Sequence, residues 1–259
     1  MNAFAPPRFS MRAIAVWRRN FLVWKKLAIP SLLGNLADPM IYMFGLGYGL
    51  GSMLPSINGL SYIAFLSAGT LCASTMNAAT FESLYSAFSR MHVQKTWEAL
   101  LNAPLSLDDV VAGEWLWAAS KSMLSGTAIL MVITALGFVH SPLALWVLPV
   151  VFLTGLCFAG LGLIVNALAP SYDFFMYYFT LAITPMILLS GVFFPLEHLP
   201  AAARMLAHCL PLSHAVALVR PLVNGVVPND AVLHIAFLGG IALSAFWLAL
   251  GLTRRRLLG

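Results

Sequence analysis

The sequence predicts an all-α polytopic membrane protein, and three observations carry that prediction. Of 259 residues, 61% are hydrophobic and only 9% are charged, against about 25% charged in an ordinary soluble domain. Mostly apolar segments of about 20 residues, the length a bilayer-spanning helix needs, recur six times along the chain. Lys and Arg gather in alternate connections instead of spreading evenly. Fourteen Lys and Arg with nine Asp and Glu are too few to clothe a water-facing surface. A soluble globular enzyme, a disordered chain and a nucleic-acid-binding domain are thereby excluded. The net charge of +5 reads as a topology signal.

Residues 9–28 come first. Phe9, Ile14, Trp17, Phe21 and Trp24 recur at helical spacing among Arg12, Arg18, Arg19, Lys25 and Lys26. That pattern predicts an amphipathic helix lying in the membrane interface, with aromatics among headgroups and cations toward phosphates. It lacks the short apolar core and small-residue cleavage site of a leader. The six spans are expected at 29–51, 60–83, 115–139, 143–169, 174–195 and 231–253. The first contains Gly45, Gly47, Gly49 and Gly51, two interleaved pairs that permit close helix packing or local bending.

Residues 86–114, between the second and third spans, read as a short helix, a break at Pro104 and a capping box, Ser106 with Asp109, that starts the next helix. Before the last span, Pro195, Pro200, Pro211, Pro221 and Pro228 divide residues 195–228 into pieces too short to cross a bilayer. Short helices dipping into the outer leaflet satisfy that pattern. Twelve of the fourteen Lys and Arg fall in the N-terminal segment, the 84–121 region and the C-terminus. Both termini and the 84–114 loop are therefore expected in the cytoplasm.

The chemistry is sparse. No phosphate-binding GxxxxGK[ST] run occurs, nor HExxH, GxSxG or SxxK. Glu82, Glu98, Asp108, Asp109 and Glu114 stand among bases and read as a solvated or docking surface, not a paired-carboxylate site. Asp38, Asp173 and Glu82 are expected near the cytoplasmic edge of their spans. With no ionisable group expected at mid-bilayer, an energy source outside the chain fits better than an ion-coupled secondary carrier. An enzyme acting on lipid-linked sugars would need a facing acid–base pair, and Asp38 with Asp173 is the only pair to nominate. Cys72, Cys157 and Cys209 are scattered and form no disulfide framework. His198, His208 and His214 with Cys209 match no metal-ligand spacing, and His234 stands alone.

Two stripes are candidate substrate contacts. Ser67, Thr70, Ser74 and Asn77, at offsets 0, 3, 7 and 10, share one face of the second span. Such a face meets other helices or an aqueous path. The run YDFFMYYF at 172–179 is either an interfacial aromatic belt or an aromatic-lined entrance carried by Tyr172, Phe175 and Tyr178.

The strings AVWRRNFLVWKK at 15–26, SLLGNLADPMIYMFGLGYGLG at 31–51, QKTWEALLNAPLSLDDVVAGE at 94–114, LAPSYDFFMYYFTLAITPMILLSGVFFPLEHLP at 168–200 and LPLSHAVALVRPL at 210–222 resemble the type-2 ABC exporter permease family. The likeness covers nearly the whole chain, and the SG-xx-FP-xxx-LP string, Ser190 to Pro200, is its most specific piece. The resemblance implies one transmembrane domain over 1–259 in a bacterial inner membrane. It implies a homodimer working with two copies of a separate ATPase that binds ATP and Mg. This chain would carry no cofactor and no catalytic residue. Segment 94–103 would be the coupling helix that docks on the ATPase, with Trp97 as anchor, Leu100 and Leu101 as apolar patch and Lys95 and Glu98 as charged rim. Segment 197–222 would be an external re-entrant hairpin closing the exit. The implied cargo is a lipo-oligosaccharide or related amphiphile, with drug, antibiotic or polysaccharide export as alternatives.

Overall fold

The computed structural model describes residues 3–8, 10–54, 56–57, 59–139 and 141–258. Phe9, the first aromatic of the expected interfacial helix, lies outside the described residues. Helix α1, Ala13–Lys25, meets α2, Ala28–Gly49, at an 84° bend. The bend falls at Leu27, whose φ of −121° and ψ of 23° leave the helical region. Helix α3, Tyr62–Phe81, runs on through π-helical turns at Glu82–Ser86 and Ser89–Val93. A left-handed Lys95, φ 52°, then turns the chain into α4, Thr96–Leu101.

Helix α5, Leu107–Ala135, starts on the expected capping box: Asp109 N–H donates to Ser106 Oγ, and Ser106 N–H donates to Asp109 Oδ2. A 3₁₀ turn at Pro142–Trp146 leads into α6, Val147–Leu168. Helices α7, Asp173–Tyr178, and α8, Thr184–Leu189, flank a π turn at Phe179–Ile183. Pro185 has no N–H to return to Leu181, which accounts for the widened turn. Helices α9, Ala201–Ala207, and α10, Pro211–Val223, meet at 83°, and α11, Ala231–Leu258, ends the chain.

Among the described residues, three helical stretches are long and apolar enough to cross a membrane by themselves: α5, α6 with its leading turn, and α11. The total rises to five if the bent pairs α1–α2 and α9–α10 each count as one span. The expectation of six spans is therefore met only in part. Helix α3 misses on polarity, because Ser67, Thr70, Ser74, Thr75, Asn77 and Thr80 dilute it. It tolerates them because α2, α5, α6 and α10 surround it and nearly all of it is buried. The stretch expected to span at 174–195 is helical only over Asp173–Leu189. That is about 25 Å, short of the roughly 30 Å hydrocarbon core.

After α8 the chain turns at Ser190 and at Gly191, φ 73°, and lays its backbone across α3. A Cβ on Gly69 would come within 2.5 Å of the Val192 carbonyl oxygen. Tyr62 Oη donates to Phe193 O at 3.1 Å, and Arg220 Nη2 donates to Gly191 O at 2.6 Å. The Arg220 guanidinium also lies 3.7 Å from the centre of the Phe65 ring. Irregular backbone within a bundle must be enclosed by protein in this way. The SG-xx-FP string is thus the segment where α8, α3 and α10 are locked together. Of the four interleaved glycines, Gly45, Gly47 and Gly49 lie in α2 and Gly51 just beyond it, and only Gly47 makes a close interhelical approach, its Cβ position 2.8 Å from Ile63 Cγ1.

Candidate functional site

At the α4 end of the molecule the acids expected on a solvated surface are mostly buried and paired. Glu82 is 3% exposed and Glu114 2%. Arg90 donates from Nε to Glu114 Oε1 at 2.9 Å and from Nη2 to Glu114 Oε2 at 2.5 Å. The same Nη2 reaches Glu82 Oε1 at 2.8 Å, and Lys121 Nζ reaches Glu82 Oε2 at 2.7 Å. Trp117 and Trp97 donate their indole N–H groups to Glu82 and Glu114, at 2.8 and 3.2 Å. Two carboxylates thus meet two cations, and all four carboxylate oxygens accept a bond. Burial works against the charge on Arg90, but Glu114 and Glu82 outweigh it and hold the guanidinium above its ordinary pKa. A second buried pair joins Arg254 of α11 to both oxygens of Asp108, at 3.0 and 2.5 Å. Asp109 accepts from Ser10 Oγ at 2.6 Å. Only Glu98 keeps the surface position expected of the group.

This network changes the reading of α4. Trp97, expected to face a partner, has its indole buried beneath the helix and bonded to Glu114. The π segment reaching Val93 and the left-handed Lys95 turn α4 back toward α5, so the largest side chain becomes the root of the helix. Leu100 and Leu101 are half-buried against the core. The exposed side of α4 is polar: Lys95 and Glu98 pair loosely at 3.9 Å with more than 60% of each side chain in solvent.

The aromatic face of α1 also packs inward. Trp17, Phe21 and Trp24 gather around Trp117 with ring centres 5.9 to 6.5 Å away. The cationic residues Arg18, Lys25 and Lys26 remain exposed.

A cleft of about 340 Å³ opens between α2, α3 and α8. Thr70, Ser74 and Asn77 of the predicted polar stripe line it. Ser67 lies off the cleft, its hydroxyl donating to the Ala64 carbonyl at 2.8 Å. Thr70 donates to the carbonyls of Leu66 and Ser67, at 3.0 Å each, and Ser74 to the carbonyl of Asn35 at 3.3 Å. The opposite wall carries Asn35, Asp38 and Tyr42, with Phe81 and Phe193 closing the ends. Sequence reasoning placed none of these five in a substrate path. Asp38, expected near an edge, stands halfway along α2, about 15 Å from either end. The spacing of Asn35, Asp38 and Tyr42, three and four residues apart, was a legible signal of one shared face.

Tyr172, Phe175 and Tyr178 do not open onto one entrance. Phe175 is fully buried with Leu84, Phe88 and Ala169, its ring 5.1 Å from Tyr85 and 5.3 Å from Phe88. Tyr178 is half-buried against the same cluster, and Tyr172 stacks on Tyr85 at 6.0 Å. The exposed members of the run are Tyr172, Asp173, Phe174, Met176 and Tyr177. Phe174, Met176 and Tyr177 fit an apolar contact with lipid.

At the other end His234, expected to stand alone, lies 2.8 Å from His214, Nδ1 to Nδ1. His214 Nε2 bonds the carbonyl of His208 at 2.9 Å, and its ring stacks on Phe237 at 3.9 Å. Among the described residues no three His, Cys, Asp or Glu gather as a metal site.

A helical bundle with a side cleft and a small helix rooted by a buried tryptophan on an ion-pair network suits a membrane transport subunit. The sequence pattern of the ABC-2 type transporter family matches residues 12–223, and the chain belongs to that family. More narrowly, it is 50% identical over 258 residues to Nodulation protein J of Rhizobium leguminosarum bv. viciae, covering 100% of both chains. It is 51% identical to Nodulation protein J of Rhizobium meliloti (strain 1021) over 245 residues, 95% of this chain and 94% of that one. The Inner membrane transport permease YadH of Escherichia coli (strain K12) is 25% identical over 205 residues, 78% of this chain and 79% of that one.

Proposed function

We propose that this chain is the inner-membrane permease of an ATP-driven exporter for a lipo-oligosaccharide, working as a homodimer with two copies of an ATPase resembling nodulation protein I. The observation that carries the reading is the full-length identity to Nodulation protein J. In this reading 9–28 is the interfacial helix, 94–103 the coupling helix and 197–222 the external re-entrant hairpin. Both termini are cytoplasmic, as the Lys and Arg distribution favours. ATP and Mg belong to the ATPase, and this chain supplies the path.

The cleft suits such a cargo. Asn35, Asp38, Tyr42, Ser74 and Asn77 offer donors and acceptors for sugar hydroxyls, while Phe81, Ile187, Leu188 and Phe193 offer apolar walls for an acyl chain. The exposed side of α4, Lys95 and Glu98, meets the ATPase, and Trp97 holds α4 to α5 through Glu114. A docking force on α4 would pass through Arg90 and Glu82 into α3, one wall of the cleft.

The test is reconstitution. The chain and the ATPase encoded beside it are co-purified and placed in vesicles with a labelled lipo-chitooligosaccharide. ATP-dependent movement of the label, absent with a hydrophobic drug panel, is the expected result. Drug or polysaccharide movement without the glycolipid would reassign the cargo. Movement driven by a proton or sodium gradient without the ATPase would overturn the reading.

A further inference from the structure

A second cavity, about 460 Å³, lies in the elbow between α1 and α2 and reaches the end of α3. Its walls hold three cations, Arg19, Arg90 and Lys121, and one carboxylate, Glu82. Glu114 behind Arg90 completes two balanced pairs, Arg90 with Glu114 and Lys121 with Glu82. Arg19 is the remainder. Its partners are the amide oxygen of Asn20 at 2.9 Å and the hydroxyl of Thr96 at 3.4 Å, both neutral. Asn20 also lines the cavity, is 3% exposed, and its amide nitrogen has no partner. A buried donor left in that state costs free energy unless a ligand accepts from it.

We infer that this elbow cavity binds the phosphate of an anionic phospholipid headgroup, with Arg19 and Asn20 as donors. An oxyanion completes the charge of the site and accepts from both residues. The rim favours a lipid over free phosphate. Val23 and Leu27, 55% and 64% exposed, border the cavity and offer an apolar track for the acyl chains. The inference rests on α1 lying at the membrane surface. It needs no ATPase and no cargo, so its test can fail or succeed independently of the export reading.

The experiment is native mass spectrometry of the full chain in detergent, with phosphatidylglycerol, phosphatidylcholine and inorganic phosphate added in separate arms. Wild type should retain one phosphatidylglycerol per chain with about tenfold preference over phosphatidylcholine, whose choline cation offsets the phosphate charge and enters a cavity that already holds three cations. Arg19→Gln should lose that preference. Arg18→Gln removes an equal charge from the neighbouring, exposed position and should keep it. If Arg19→Gln fails to fold, Asn20→Asp gives the same readout, because it neutralises Arg19 from within. Equal retention of both lipids would overturn the inference. So would equal loss in Arg18→Gln and Arg19→Gln, which marks diffuse surface attraction. Inorganic phosphate displacing the lipid at equal concentration would overturn the lipid assignment in favour of a soluble anion.

Discussion

Arg90 and Glu114 make a pair whose removal can be worked through quantitatively. Glu114→Ala deletes two of the three bonds Arg90 makes to carboxylates and strips the Trp97 indole of its acceptor. It leaves Glu82 facing two cations, a net charge of one in a pocket where the carboxylates are 4% exposed or less. Breaking a buried pair by removing one partner costs about 3–5 kcal/mol. Arg90 keeps 12% of its side chain in solvent, so the lower end, about 3 kcal/mol, applies. Arg90→Met should cost a similar amount by orphaning Glu114. Removing both partners leaves Glu82 with Lys121, a neutral pair. Arg90→Met with Glu114→Ala should therefore recover about 2 kcal/mol relative to the sum of the single changes, as contacting groups do in a cycle. The assay is thermal unfolding of purified protein in mild detergent, followed by tryptophan emission, since Trp97 and Trp117 both donate into the network. Additive losses in the double variant would refute the argument, because they would mean the two charges do not depend on each other.

Four further outcomes follow from the geometry. Gly69→Ala should lower stability by about 1–3 kcal/mol, seen as a lower unfolding temperature, because its Cβ meets the Val192 carbonyl at 2.5 Å; Gly45→Ala, with open space around it, serves as the control. Exchanging Lys95 and Glu98 keeps their mutual attraction but reverses the field offered outward; co-purification of the ATPase should fall about tenfold while the unfolding temperature holds. Trp97→Phe keeps the burial and loses the bond to Glu114, so stability should fall by about 1.5 kcal/mol with the ATPase still bound, as pull-down and thermal unfolding would report together. Asp38→Asn and Asn77→Leu alter cleft walls and should reduce glycolipid transport in vesicles about tenfold at normal membrane levels; unchanged transport would remove the cleft from the path.

Legibility in the sequence divides along the range of the forces involved. Helices α2, α5, α6 and α11 follow from apolar run length, a local property, and the Ser106–Asp109 cap follows from a three-residue pattern. The direction a side chain faces is another matter. Trp97 reads as an exposed anchor until Glu114, on the next helix, is placed beneath it. The charged loop reads as solvated because its charges alternate in sequence. Their pairing reaches 24 residues from Arg90 to Glu114 and 39 from Glu82 to Lys121, beyond any periodicity. Hydropathy understates α3 because a helix enclosed by four others can carry hydroxyls that a lipid-facing helix cannot. Of the cleft, the α3 wall was legible as a polar stripe. The α2 wall was missed because Asp38 was assigned to an edge, and only the elbow at Leu27 shows that it stands mid-helix.

The buried ion-pair network and the cleft proposed for the cargo are joined by one element. Helix α3 lines the cleft with Thr70, Ser74 and Asn77 and continues into the π turn that carries Glu82. Arg90, in the next π turn, bridges Glu82 to Glu114, and Glu114 in turn accepts from Trp97 of α4. Both connecting turns are π-helical, and such turns interrupt the regular ladder of an α-helix at functional sites. Helix α4 is held to the bundle by the buried Trp97, whose indole donates to Glu114, and by Leu100 and Leu101 packed on the core. Displacing α4 therefore pulls on Glu114 and Arg90 together with that apolar contact. The end of α3 is the first spanning element on that line that also reaches the cleft. A neutral, fully bonded network suits this duty better than an apolar contact. It is directional, and leaving it half-made is costly, which in the proposed transport reading disfavours intermediate positions.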